Sequence, residues 1–172
     1  VPLSHWRFIA LFSFFAILGT YTGITVSEFN YDDESWAGDV TKTGAISNSR
    51  TVGVVIAGLL GGVIPGVIVG LIAGIHRYSL GGFLYIACMI APIVQGILAG
   101  LMKNAFQKRY QHFSSVQLAF AAGFLAEALQ MGIILLIAKP FEDALGLVSL
   151  IAMPQILANS IGVSLFFYLY MF

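Results

Sequence analysis

Residues 51–82 read TVGVVIAGLLGGVIPGVIVGLIAGIHRYSLGG, and this glycine-rich stretch decides the fold. It is apolar from Thr51 to Ile75, but the pair Gly61-Gly62 and the nearby Pro65 interrupt it close to its middle. A break there leaves two arms of about 11 to 13 residues, each too short to cross a bilayer that needs about 20 apolar residues. The pattern therefore indicates either a re-entrant hairpin or one ordinary span that uses small residues for close helix packing.

The rest of the chain is typical of a membrane protein. Of its 172 residues, 59% are hydrophobic and only 9% are charged, and the mean hydropathy is +0.92. Four further stretches are long and apolar enough to span a bilayer: His5–Val26, Leu80–Met102, Ser115–Ala138 and Leu147–Met171. We therefore predict an all-α integral membrane protein, a compact bundle of about five hydrophobic segments that forms a single domain over residues 1–172.

Composition also excludes several classes of function. The formal net charge is zero, so no basic surface is available for nucleic acid. Cys88 is the only cysteine, and His5, His76 and His112 are far apart in sequence, so we expect no disulfide, no metal site and no cofactor. The chain has neither a phosphate-cradling glycine loop with a Gly-Lys-Ser/Thr ending nor a nucleophile and base pair. We expect a domain that is not an enzyme and whose chemistry is binding or signalling.

Charge at the ends of the segments predicts the topology. The polar stretch Ser27–Arg50 has five acidic residues against two basic ones, whereas Met102–Ser114 has three basic residues and no acidic one. Under the positive-inside rule, the first stretch is outside and the second is cytoplasmic. The glycine-rich segment must then enter and leave on the same side, which favours the hairpin. The carboxyl terminus is expected in the cytoplasm, and because the chain begins at a valine we expect a fragment with effector domains beyond Phe172.

Two arginines are the strongest candidates for binding a ligand. Arg50 closes the outer polar stretch, and Arg77 follows the second arm of the glycine-rich segment. A guanidinium group holds a carboxylate through two parallel hydrogen bonds, so two arginines at one membrane face suit a small anionic acid. The alternative is that both arginines anchor helix ends to lipid headgroups or to nearby aspartates.

Polar residues inside the apolar spans are the second set of candidates. Glu127 lies halfway along its span with Gln130 one turn further on the same face, and Asn159 interrupts the last span. A carboxylate facing lipid is too costly, so Glu127 is expected to point into the bundle. Either ligand contact or hydrogen bonding between helices would explain these three. Cys88 lies two turns inside its span, where it either lines a cavity beneath Arg77 or packs as an inert small side chain.

Several motifs together carry a resemblance to a known family. They are NSR at 48–50, AGLLGG at 57–62, GLIAGIHRYSLGG at 70–82, EALQM at 127–131 followed by PF at 140–141, and IAMP at 151–154 followed by NSIG at 159–162. With these motifs the chain resembles the LytS-type membrane receptor domain of bacterial sensor histidine kinases and of some cyclic-dinucleotide signalling proteins. The similarity covers nearly the whole chain, and the motif around Arg77 is far more specific than a glycine pattern.

The resemblance implies a sensor in the bacterial inner membrane, crossing it several times, which reports to a cytoplasmic kinase or cyclase in cis and acts as a homodimer. Members similar to the pyruvate-responsive kinases bind that small keto acid, and their arginines and cysteine match Arg50, Arg77 and Cys88. Where those members have a serine shortly after the cysteine, this chain has Ala91. The full candidate ligand-binding set is Arg50, Arg77, Cys88, Asn48, His76, Tyr78 and Ser79.

Geometry supports the hairpin if the two arginines share one carboxylate. A straight helix over the residues between them would be about 37 Å long and would hold them apart. A hairpin returns both to one face. Two other functions fit the same sequence: a small-solute transporter or its substrate-binding membrane subunit, and a sensor of the cell wall or the membrane state that has no small ligand.

Overall fold

The computed structural model describes residues 3–26, 45–82, 84–109 and 115–171. In these ranges the chain forms six helices and one short ribbon of two strands. The elements are α1 (Leu3–Tyr21), β1 (Ile24–Val26), β2 (Ala45–Ser47), α2 (Arg50–Gly61), α3 (Val63–Ser79), α4 (Tyr85–Arg109), α5 (Ser115–Ile137) and α6 (Phe141–Met171). The prediction of a helical bundle is confirmed, and six helices replace about five segments because the glycine-rich segment forms two.

The glycine-rich segment is a helical hairpin. α2 ends at Gly61, and Gly62 has a φ of 91°, a left-handed conformation that glycine adopts without strain. The two outer ends of the hairpin meet at the last turn of α1, since the Ser49 amide donates to the Gly19 carbonyl (3.1 Å) and His76 Nε2 lies 3.1 Å from the Tyr21 hydroxyl. The segment therefore forms the predicted hairpin, and its re-entrant position in a membrane stays a prediction.

Glycines, which have no side chain, allow the hairpin to pack tightly against α4. A Cβ atom added at Gly70 would collide with the Pro92 carbonyl, and one added at Gly96 would collide with the Gly66 carbonyl. Small residues of this kind let helix backbones approach each other in a membrane, where the hydrophobic effect does not drive helices together. Two glycines of the second arm, Gly66 and Gly70, thus join the segment to its neighbour.

Three described helices are long and apolar enough to cross a membrane: Tyr85–Lys103 in α4, Val116–Ile137 in α5 and Phe141–Tyr170 in α6. The 12 residues of α2 extend only about 18 Å at 1.5 Å per residue, which is too short for a bilayer core of about 30 Å. With three helices of this length and apolarity, the chain is a multi-pass membrane protein.

Some predicted boundaries were wrong. The first segment was predicted to run to Val26, but α1 ends at Tyr21. Gly23 breaks the helix, and the β-branched residues of β1 pair antiparallel with β2, with Thr25 opposite Ile46. The later helices begin at Tyr85 and Phe141, away from the predicted Leu80 and Leu147. The predicted outer stretch lies outside the described residues over 27–44, as does residue His112.

The tip of the hairpin lies at the end of the bundle that carries basic residues. Lys103, on α4, donates a hydrogen bond from Nζ to the carbonyl of Leu60 in the last turn of α2. Phe8, near the start of α1, also lies against this tip, next to Gly61. The tip and the first turns of α1 therefore share one end of the bundle, and the open end of the hairpin points the other way.

Candidate anion-binding site

Arg50 is the first residue of α2 and is completely buried. Its backbone amide donates to Oδ1 of Asn48 (3.1 Å), so a side chain two residues earlier holds the start of the helix. The N-terminus of a helix is the positive end of its dipole. The guanidinium group and the helix therefore place positive charge at the same point inside the bundle.

Arg77 lies in the last turn of α3 and is also completely buried. One of its nitrogens, Nη1, donates to the carbonyl of Gly81 at 2.5 Å. Gly81 has a φ of 70°, which a glycine adopts without strain, and this turn returns the chain toward Arg77. The glycine pair at 81–82 thus fixes one edge of the second guanidinium group.

Most of the donors on the two arginines have no partner. Nε, Nη1 and Nη2 of Arg50 and Nε and Nη2 of Arg77 are buried and make no hydrogen bond within the part of the chain that the structure describes. A buried polar group without a partner costs free energy, and a charged one costs more. Five such nitrogens in one protein core indicate a place built to receive hydrogen-bond acceptors.

Two further predicted residues lie beside these nitrogens. The thiol of Cys88 is buried, and it lies close enough to interact electrostatically with Arg50, as does Arg77. His76 interacts with both arginines and has a buried Nδ1 without a partner, while its Nε2 contacts the Tyr21 hydroxyl. The structure therefore brings both predicted arginines, Cys88 and His76 to one place.

Glu127 interacts electrostatically with Arg50, and both oxygens of its carboxylate accept hydrogen bonds. Oε1 accepts from Nδ2 of Asn159 (2.7 Å), and Oε2 accepts from Nε2 of Gln155 (3.1 Å). The same Asn159 nitrogen also donates to the backbone carbonyl of Asn48 (3.1 Å), the residue that holds the start of α2. One side chain of α6 thus joins the carboxylate of α5 to the arginine helix.

A second set of hydrogen bonds links α2, α4 and α5. Thr51 Oγ1 donates to Oε1 of Gln95 (3.3 Å), while Nε2 of Gln95 donates to Oε1 of Gln130 (3.1 Å) and to the Ala126 carbonyl (3.0 Å). All three side chains are buried. These bonds fix the helices around the arginines and give Gln130 a structural role.

Two predicted residues point elsewhere. Tyr78 is half exposed, with its ring 5.2 Å from that of Tyr85 beside an open depression of about 360 Å³, and Ser79 is exposed and donates to the His76 carbonyl. The two arginines, by contrast, are completely buried, and Asn159, near the middle of α6, joins Asn48 before α2 to Glu127, near the middle of α5. The site lies inside the bundle.

Sequence reasoning missed Thr51, Gln95 and Gln155. The sequence contained a signal for two of them. Gln95 follows Cys88 by seven residues, and Gln155 precedes Asn159 by four. Residues at these spacings lie on the same face of a helix. An amide within an apolar span, in register with a residue already selected, was the pattern to look for.

Taken together, the described residues build a buried cationic site faced by one carboxylate. It offers charged N–H donors from two sides, a thiol, an imidazole and a positive helix end. Such a set suits a small acid with planar oxygens, which accepts two parallel hydrogen bonds from one guanidinium group.

Known proteins are similar to this chain over nearly its whole length. The family model 5TM-5TMR_LYT, described as the 5TMR of 5TMR-LYT, matches residues 2–171. The sensor protein LytS of Bacillus subtilis is 44% identical over 158 residues, which are 92% of this chain and 26% of that protein. The sensor histidine kinase BtsS of Escherichia coli is 40% identical over 171 residues, 96% of this chain and 27% of that protein.

More distant relatives are also described as sensor proteins. The sensor protein LytS of Staphylococcus haemolyticus is 30% identical over 163 residues, which are 95% of this chain. The chain spans about a quarter of the length of the curated relatives it matches. No solved structure matches this chain.

Proposed function

Because the chain belongs to the 5TM-5TMR_LYT family, we propose that it is the membrane input domain of a sensor histidine kinase and that it detects a small carboxylate of the pyruvate type. The observation that carries the ligand class is the set of five buried, unpartnered guanidinium nitrogens on Arg50 and Arg77. A small carboxylate provides the acceptors that these donors lack. The similarity to sensor proteins over more than nine-tenths of the chain favours this function over a transporter.

In this proposal, Arg50 and Arg77 hold the carboxylate group from two helices, and Cys88 and His76 line the same space. Arg50 belongs to α2 and Arg77 to α3, so a shared anion draws the open end of the hairpin together. A ligand acts on the protein only through its different affinity for two conformations. Here the two conformations differ in the distance between the outer ends of α2 and α3.

Asn159 provides the route from the site to the last helix. Its amide joins the carbonyl of Asn48, two residues before Arg50, to Glu127, and it lies on α6. A shift of the α2 end that follows anion binding therefore pulls on α6. We propose that α6 passes this movement to a cytoplasmic kinase in cis, within a homodimer in the bacterial inner membrane.

The binding half of the proposal is tested on the full-length protein in nanodiscs, with pyruvate titrated by calorimetry. Arg77→Gln is expected to weaken binding by about 100-fold or more, because a desolvated, doubly hydrogen-bonded charge pair is lost. Arg7→Gln changes an exposed arginine of α1 and is the matched control, with unchanged affinity expected. Equal affinities in both variants, or no binding of any small carboxylate to the folded protein, would contradict the assignment.

The signalling half is tested with Asn159→Leu. We expect this variant to bind pyruvate within a few-fold of the original affinity and to lose the change in autophosphorylation that pyruvate produces. A variant that keeps the full response would show that transmission does not pass through Asn159.

A further inference from the structure

We infer that Glu127 gives the ligand site a net charge of one and thereby selects acids with a single negative charge over acids with two. This inference rests on the proposed function, because it concerns the ligand of the same site. Among the described residues, Arg50, Arg77 and Glu127 are the ionic side chains that are fully buried. Two cations and one carboxylate leave one positive charge, which a monoanion neutralises.

Glu127 is close enough to contribute to this balance. Its charge interacts with Arg50. Asn159, which donates to Oε1 of Glu127, also donates to the carbonyl of Asn48 just before α2. Yet Glu127 does not take up the arginine donors, because all three Arg50 nitrogens remain without a hydrogen-bond partner among the residues that the structure describes. The carboxylate therefore compensates charge and leaves the donors available to a ligand.

The contacts of Glu127 are those of an ionised carboxylate. Each of its oxygens accepts a hydrogen bond from a side-chain amide, one from Asn159 and one from Gln155. An ionised carboxylate only accepts hydrogen bonds, and these two donors fit that pattern. A buried cation nearby favours the same charged form.

Because the site is buried, its net charge selects between ligands of different charge. An uncompensated charge inside a protein or a membrane is costly, because water is not available to solvate it. A second negative charge on the ligand would leave the closed site with a net charge of minus one, while Glu127 is held by two amide donors. A dianion of the same size is therefore rejected by electrostatics and not by shape.

Oxamate and oxalate are the matched probes for this inference. They have the same number of non-hydrogen atoms and nearly the same planar shape, but oxamate has one negative charge and oxalate has two. Both are titrated into the full-length protein in nanodiscs by calorimetry, with pyruvate as a reference. The original protein is expected to bind oxamate at least about ten-fold more tightly than oxalate.

Glu127→Gln raises the net charge of the site to two and is expected to reduce or reverse that ratio, by about ten-fold or more. The double variant Glu127→Gln/Gln155→Glu moves the carboxylate across an existing hydrogen bond of 3.1 Å and returns the charge to one. It is expected to regain the preference for oxamate. Equal affinities of the original protein for the two probes would overturn the inference even if neither variant folds.

The outcomes separate this inference from the proposed function. If the folded protein binds none of pyruvate, oxamate and oxalate, the carboxylate sensor itself is wrong. If it binds oxamate and the ratio to oxalate is unchanged in Glu127→Gln, the site is right and the charge selection by Glu127 is wrong.

Discussion

The buried charged groups on the two sides of the bundle differ in how many hydrogen-bond partners they have. On the hairpin side, Arg50 and Arg77 are buried with five nitrogens unpartnered, whereas on the side of α5 and α6 both carboxylate oxygens of Glu127 have donors. A buried charge whose oxygens have protein donors is held in place by the protein. A buried charge with donors left over is available for a ligand, and this difference separates the groups that bind the ligand from the group that balances their charge.

Glycine packing differs from position to position: Gly123 of α5 lies against the α6 backbone at Ser160, as the hairpin glycines lie against α4, but Gly132 of α5 does not. The hairpin contacts α4 through glycines whose Cβ atoms would collide with backbone, while a Cβ at Gly132 in α5 would meet nothing within 4 Å. The cationic side is therefore fixed by backbone contacts that tolerate no side chain. The α5 surface at this glycine has room for one.

The largest effect expected from this difference follows substitution of a glycine at the hairpin contact. Gly96→Leu forces α4 away from Gly66 and is expected to abolish folding, because overpacking by a whole side chain at a backbone contact has no local remedy. Gly132→Leu is the control and should leave the protein monodisperse. Size-exclusion chromatography and thermal unfolding of the full-length protein in detergent measure both. Similar yields of the two variants would contradict the packing argument.

Opposite changes in stability are expected from the two kinds of buried charge. Arg50→Met removes a cation that has no hydrogen-bond partner among the described residues and brings their buried net charge to zero, so the protein without carboxylate should become more stable, by about 1 to 4 kcal/mol. Glu127→Met removes the acceptor of two amides and leaves two cations uncompensated, so stability should fall by about 3 kcal/mol.

Thermal unfolding in the absence of added carboxylates measures this pair of variants. The contrast is sharpened by adding pyruvate, which should stabilise the original protein and not Arg50→Met. A loss of stability in Arg50→Met as large as that in Glu127→Met would show that the arginine is a structural residue.

The sequence was sufficient for the helical class and for the hairpin, because these depend on local chemistry. Length, hydropathy and the Gly61-Gly62 pair determine where apolar helices begin and break. It was also sufficient to select Arg50, Arg77 and Glu127, because an ionic side chain in an apolar segment needs a reason to be there.

The depth of the site could not be predicted in the same way. Arg50 and Arg77 stand at segment ends in the sequence, and only the packing of helices that are distant in sequence buries them completely. The hydrogen bonds of Gln95 and Gln155 are likewise contacts between distant helices. By contrast, the end of α1 was predictable, since Gly23 and three β-branched residues after it already favoured an end to the helix.

The smallest effect concerns the tip of the hairpin, at the opposite end from the arginines. Lys103 donates to the Leu60 carbonyl, one of the last carbonyls of α2, where a cation also interacts favourably with the negative end of the helix dipole. Lys103→Met keeps the length of the side chain and removes the donor, so stability should fall by about 1 kcal/mol. Lys139→Met, at an exposed position before α6, is the control and should have little effect. Because the tip is far from the ligand donors, pyruvate affinity in Lys103→Met should stay within two-fold, and a larger loss in affinity than in stability would mean that the tip is coupled to the site.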